Sequence, residues 1–371
     1  MIRVSRTERG LLAKWWWTID HALLAGLGLL ALSGLVFVLA SSPPSATRLG
    51  LPPLHFVVRH VLFLMPAALL LFGTSLLSPK GVWRLAIGLL AISLAMLVLI
   101  LLIGVETNGA RRWLPIGGLV LQPGEFAKPA LIVVVAGLLA RAPGLGNVAP
   151  GALLTGLVVI LLLAQPNVGM ALMVATLFAI QLFLAGLPWM MVSGLLAVGL
   201  AGVWQAYHFF PHVAERIDRF IDPSTGDHYQ VSHALEAVSG AAWFGSGPGE
   251  GRVKYLLPDA HSDFVFAVIA EEFGLIACVA LLGLFCFVTL RGLQRTEMVA
   301  DRFTLLAAGG LLAHFGLQAI GNIGVNLSVL PATGMTLPFI SYGGSSLCAL
   351  ALGMGLFLAL TRRRPSAEVP L

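Results

Sequence analysis

Apolar residues fall along this chain in long blocks separated by short polar stretches. Ten blocks stand out, at about 20–41, 55–77, 82–104, 123–141, 151–165, 168–186, 189–207, 263–290, 302–323 and 338–360. Runs of about 20 apolar residues match a hydrocarbon core roughly 30 Å thick, and at that length they are helices and not barrel strands. The pattern predicts an all-α polytopic membrane protein of about ten transmembrane helices. Residues 1–19 precede the membrane unit, 20–361 make it up, and 362–371 form a short tail. One large loop, about 208–262, interrupts it. The fifth and sixth blocks are separated only by Gln165-Pro166-Asn167-Val168-Gly169, so they read as an interrupted pair whose broken backbone needs protein or water around it.

Composition sharpens this reading. The chain is 58% hydrophobic and 11% charged, with mean hydropathy +0.93, whereas soluble domains carry roughly 25% charged residues. A soluble enzyme on an anchor is excluded. Neither GxxxxGK[ST] nor GxGxxG occurs, which argues against nucleotide-powered chemistry. Cys278, Cys286 and Cys348 lie inside apolar blocks without C-x-x-C spacing, so no zinc site or disulfide framework is expected. The net charge of +5 does not call for nucleic acid, because the basic residues sit at the ends of the blocks.

Those basic residues set an orientation. With the N-terminus inside, inner segments hold Arg3, Arg6, Arg9, Lys14, Lys80, Arg84, Arg141, Arg291, Arg295, Arg302 and Arg362 to Arg364, which predicts cytoplasmic N- and C-termini. The 208–262 loop is then extracytoplasmic. Trp15 to Trp17 suit an interfacial aromatic belt, ahead of a first span read as an uncleaved helix.

On this topology nearly all surviving polar residues gather at the outer face. The richest stretch contains Arg216-x-x-Arg219-Phe220-x-Asp222-Pro223, the glycine run Gly245 to Gly251, then Lys254, Pro258, His261 and Asp263. The glycine run fits a flexible linker or a functional lid. Asp263 opens the eighth span, with Ala267, Ala270 and Gly274 below it on one face. It fits a helix N-cap, a carboxylate at the mouth of a close-packed face, or both. Glu125 and Lys128 are i,i+3 neighbours that can pair. Arg59, Arg111, Arg112 and Lys128 form an outer cationic group suited to phosphates or to anionic lipid head groups. His314, Gln318, Asn322 and Asn326 make a polar stripe that should face the bundle interior, as interhelical glue or as the wall of a polar path. The entry to the tenth span, with Ser341, Gly343, Gly344 and Ser345, could present backbone N–H groups to an anion. No D-x-D pair exists, and Pro211 disturbs His208 and His212 as i,i+4 ligands, so no metal site is assigned.

Three motifs carry a family resemblance: G-A-R-R-W-L with Q-P-G-E-F-A-K, L-P-D-A-H-S-D-F-V-F-A-V-I-A-E-E-F-G, and G-M-T-L-P-F-I-S-Y-G-G-S-S-L. In this order over residues 10 to 364 they resemble the SEDS family (shape, elongation, division, sporulation), its division branch more than its elongation branch. The resemblance implies a peptidoglycan glycosyltransferase in the bacterial inner membrane, at the division septum. It would polymerise lipid II with a class B penicillin-binding protein transpeptidase and other division proteins as partners. Lipid II flipping and elongation-type polymerisation are the alternatives. The essential aspartate of the family falls on Asp263, and its basic residues on Arg59, Arg111, Arg112, Lys128 and Lys254; Glu125 and His261 lie within the same motifs. The resemblance assigns no definite cofactor, and a divalent cation, Mg or Mn, is a candidate at the pyrophosphate. The chain departs from the family at Gly124, Asn167 and the Ala332-Thr333 pair, where the family has Ser, Asp and Thr-Lys.

Overall fold

In the computed structural model, residues 10–107, 110–116, 119–141, 148–209, 214, 229–331 and 333–363 are described. The R-x-x-R-F-x-D-P motif, Asn108, Gly109, Ala332 and the tail beyond residue 363 lie outside them. The helices are α1 (Leu11–Thr18), α2 (His21–Arg48), α3 (His55–Ser75), α4 (Pro79–Ile103), α5 (Pro123–Ala140), α6 (Val148–Leu163), α7 (Val168–Leu184), α8 (Trp189–Phe209), α9 (Tyr229–Ser239), α10 (Val265–Glu297), α11 (Arg302–Asn326) and α12 (Gly344–Thr361). Among the described residues, seven are long and apolar enough to cross a membrane, and α6 and α7 are shorter apolar helices. With α8, every one of the ten expected spans coincides with a helix. The protein is a multi-pass membrane protein.

Several boundaries move for physical reasons. Trp15 to Trp17 form a helix of their own, because Asp20 takes the N-cap of α2 by accepting the Leu23 amide at 3.0 Å. Trp15 is pinned sideways by donating to Ser75 Oγ at 2.8 Å. The tenth span, α12, starts at Gly344, not near 338. The segment before it is a turn in which Ser341 Oγ accepts the Leu337 amide at 2.9 Å.

The structure is not purely helical. Between α4 and α5 runs a three-stranded antiparallel sheet, β1 (Val105–Thr107), β2 (Ala110–Ile116) and β3 (Leu119–Leu121), with Glu106 opposite Arg111 and Leu114 opposite Leu121. Its strands are too short to bury a face alone, and it leans on α4 and α12.

Three helices, α5, α11 and α12, bury most of their residues and form the centre, with α2, α3 and α4 outside them. Close approach depends on small residues, as expected where lipid and side chain are equally apolar. At Gly355 a Cβ would lie 2.0 Å from Thr74 Oγ1 of α3. The Arg363 amide donates to the Thr18 carbonyl at 3.1 Å, so both ends of the described chain lie at one end of the bundle.

The 33-residue α10 is broken at Gly274, whose φ of 77° only glycine adopts freely. The amides of Leu275 and Ile276 lose their helical acceptors there. They donate instead to the Ala242 and Trp243 carbonyls at 3.1 and 3.2 Å, while the Glu271 and Glu272 carbonyls accept from Ser246 and Gly247 at 2.8 and 3.1 Å. The glycine-rich loop is thus spliced into the helix by exchanged backbone bonds. Beyond Gly274 the remaining helix is roughly 35 Å long at 1.5 Å per residue, enough to cross the hydrocarbon layer alone.

Candidate functional site

Asp263 lies half-buried on a tight turn at the bundle end opposite the chain termini. The amides of Ser262, Asp263 and Phe264 all converge on the Asp259 carbonyl at 3.1 to 3.2 Å. The expectation that Asp263 caps the eighth span, α10, does not hold. The N-cap position is Phe264, and the Ala267 amide in the first turn is satisfied by Asn326 Oδ1 at 3.1 Å, from the end of α11. The backbone carbonyl of Asp263 accepts from Asn322 and from Asn326, each at 2.9 Å. Its carboxylate faces Gly334, where a Cβ would stand 3.8 Å from Oδ2. With φ at +69°, Gly334 suits glycine on backbone grounds as well.

Two residues before Asp263, the buried His261 ring stacks on Phe56 of α3 with centroids 3.9 Å apart, and Tyr342 tilts against the same imidazole. Burial pushes the His261 pKa down to about 4, so the ring is neutral. The Tyr342 amide donates to the His261 carbonyl at 2.9 Å, which ties the entry segment of α12 to the Asp263 turn. Arg59 is exposed one turn beyond Phe56 on the same helix.

The remaining cations do not form one exposed group. Arg111 is exposed on β2, but Arg112, on the opposite strand face, donates to the Gln165 and Pro166 carbonyls in the α6–α7 turn. Lys128 is 1% exposed, and its ammonium lies 2.9 Å from Glu125 Oε2 and 3.2 Å from Gln318 Oε1. The predicted i,i+3 pair is therefore present, inside the bundle. Lys254 is sealed against Glu272 and also donates to the Ala40 carbonyl at 3.3 Å. Neither lysine stands where a solvated phosphate would meet it.

The α12 entry is held by bonds within the protein up to Tyr342. The amides of Leu337, Ile340, Ser341 and Tyr342 all have protein acceptors, and Ser345 Oγ accepts the Gln122 amide at 3.0 Å. Gly343 and Gly344 serve close packing, against Thr336 and the Phe63 ring respectively. The polar stripe faces inward as expected: His314, Gln318, Asn322 and Asn326 are all buried. Gln318 donates to the Thr336 carbonyl and to Ser346 Oγ, both at 3.1 Å. Sequence spacing marked this stripe but not its attachment to Asp263. Among the described residues, no three His, Cys, Asp or Glu side chains cluster to hold a metal ion.

Comparison with known proteins bears on what such a site does. A family model described as "Cell cycle protein", named for FtsW, RodA and SpoVE, matches residues 20–365. A Caulobacter vibrioides protein named "Probable peptidoglycan glycosyltransferase FtsW" is 42% identical over 367 residues, covering 98% of this chain and 94% of its own. An Aliivibrio salmonicida protein of the same name is 37% identical, covering 90% and 86%. Among solved structures, a chain from a study of polymerization and crosslinking by a peptidoglycan synthase complex superposes with a TM-score of 0.79 at 34% identity, covering 93% of this chain and 98% of that one. The rod shape determining protein RodA of Thermus thermophilus gives 0.70 at 31% identity, covering 93% and 97%.

Proposed function

This chain belongs to the cell cycle protein family of FtsW, RodA and SpoVE, and on that footing we propose that it is a peptidoglycan glycosyltransferase that polymerises lipid II during septal wall synthesis. The observation that carries the reading is the half-buried Asp263 carboxylate, on a turn braced from two other elements and at the same bundle end as Arg59 and Arg111. Asp263 takes the proton from the 4-hydroxyl of a lipid-linked acceptor sugar. That oxygen bonds to the anomeric carbon of a lipid-linked donor as the carbon–pyrophosphate bond breaks, with inversion. The leaving isoprenoid pyrophosphate carries off the electron pair, and Arg59 and Arg111 stabilise its charge. Exchange of that activated bond for a glycosidic bond supplies the energy, so no ATP is required.

A magnesium or manganese ion would sit mainly on the pyrophosphate's own oxygens, as such ions often do. Transport of the lipid would need the polar stripe to line an open path. Gln318, Asn322 and Asn326 instead direct their side-chain amides to protein acceptors. The setting is the bacterial inner membrane at the septum, with a class B transpeptidase as partner. The test is the full-length protein with that partner and labelled lipid II, scored for glycan strands. Strands from the natural protein and only a small residual rate from a folded Asp263→Asn variant are expected; normal polymerisation by that variant would overturn the mechanism.

A further inference from the structure

In a helix reaching back to residue 263, the Ala267 amide would donate to the Asp263 carbonyl, four residues earlier. Here that bond is absent, although the two groups lie at the start of the same helix. The carboxamide of Asn326 stands between them: its oxygen accepts the Ala267 amide at 3.1 Å, and its nitrogen donates to the Asp263 carbonyl at 2.9 Å. The next bond along, from Val268 to Phe264 at 3.3 Å, is an ordinary helical one.

Asn322, one turn earlier on α11, completes the arrangement. Its amide donates to the same Asp263 carbonyl at 2.9 Å and to the Met335 carbonyl at 2.7 Å, beside the Gly334 that faces the carboxylate. The nitrogen of Asn326 also reaches the Asn322 carbonyl at 2.9 Å. Each side-chain nitrogen thus meets two carbonyl oxygens, in side chains 1% and 0% exposed. A buried amide in an apolar helix is tolerated only when satisfied, and both of these direct a donor to the carbonyl of the residue that carries a candidate catalytic group.

We propose that Asn322 and Asn326 are positioning residues for the transferase reaction, Asn326 by holding Asp263 out of α10 and Asn322 by fixing its height against the Gly334–Met335 backbone. The inference rests on the reading of Asp263 as the base. Without Asn326 the Ala267 amide regains the Asp263 carbonyl, the helix lengthens, and the carboxylate swings away from its acceptor.

The test uses the full-length protein with its partner transpeptidase and labelled lipid II. Asn326→Ala should lower kcat on the order of 100-fold, the scale of a misplacement near 1 Å, with KM unchanged. Hydrogen exchange over residues 263–268 should change while the rest of α10 keeps its protection. Asn322→Ser, which retains one donor, should fall between, and it serves as the reading should Asn326→Ala fold poorly. In the Asp263→Asn background neither substitution should lower the residual rate further. Unchanged turnover of correctly folded variants, a raised KM at constant kcat, or an additive loss in that background would each overturn the proposal. If Asp263→Asn itself polymerises normally, the base assignment fails; the exchange pattern still reports separately whether Asn326 holds the turn.

Discussion

Lys254 and Glu272 form an ion pair sealed from solvent, their side chains 2% and 0% exposed, and it clamps the glycine-rich loop onto the broken α10. Glu272 also accepts the Gly249 amide at 3.0 Å, and its neighbour Glu271 accepts the amides of Arg252, Val253 and Lys254. Removing one member of a buried pair leaves an uncompensated charge, at about 3–5 kcal/mol. Lys254→Met should therefore lower the melting temperature of the detergent-solubilised protein sharply. Lys254→Met combined with Glu272→Gln should recover much of it. Equal melting temperatures for natural protein and Lys254→Met would show that the pair does not hold the loop.

Lys128 and Arg111 separate by burial. Lys128→Met should cost about 3 kcal/mol or more, because Glu125 is left charged inside the bundle. Arg111→Glu, on an exposed strand face, should leave melting unchanged and weaken donor use. Turnover per folded molecule and thermal unfolding, measured side by side, check both. A stable Lys128→Met or an unstable Arg111→Glu would reverse the assignments.

His261 predicts a pH dependence of stability. The unfolded chain protonates this residue as pH falls through about 6.5, whereas the folded ring, buried against Phe56, stays neutral until about 4. Its contribution to stability is complete above pH 6.5, is lost across the window from 6.5 to 4, and stays lost below it. The loss is on the order of 3 kcal/mol. His261→Phe should flatten that part of the melting temperature profile relative to the natural protein; parallel profiles would remove His261 as the cause.

What the sequence made legible was what depends on local pattern. The ten apolar blocks needed only length and hydropathy, the Glu125–Lys128 pair only i,i+3 spacing, and the inward stripe only a four-residue repeat. What stayed hidden depends on partners far away in the chain. The break at Gly274 is stabilised by a loop some thirty residues earlier, so no window around Gly274 reveals it. Lys254 reads as an outer-loop cation until Glu272 and Ala40 are brought to it. Asp263 reads as a helix cap because the residue that meets the Ala267 amide, Asn326, arrives from another helix. The small sheet escaped because its strands are short enough to pass for a polar loop.

The chemistry depends on which side of the membrane the Asp263 turn faces. The Arg363–Thr18 bond puts the two described ends together, and the Asp263 turn is at the opposite end of the bundle. Inner-end arginines such as Arg291 and Arg295, both paired with Asp20, resist transfer across the bilayer, so the end that bears them belongs in the cytoplasm. Single cysteines at Ser246, exposed in the spliced loop, and at Ser366, in the tail outside the described residues, can be placed in a background lacking Cys278, Cys286 and Cys348. An impermeant thiol reagent applied to intact cells with a permeabilised outer membrane should label position 246 alone. Labelling at 366 without labelling at 246 would turn Asp263 toward the cytoplasm, away from the growing wall, and an extracytoplasmic polymerase could not then be sustained.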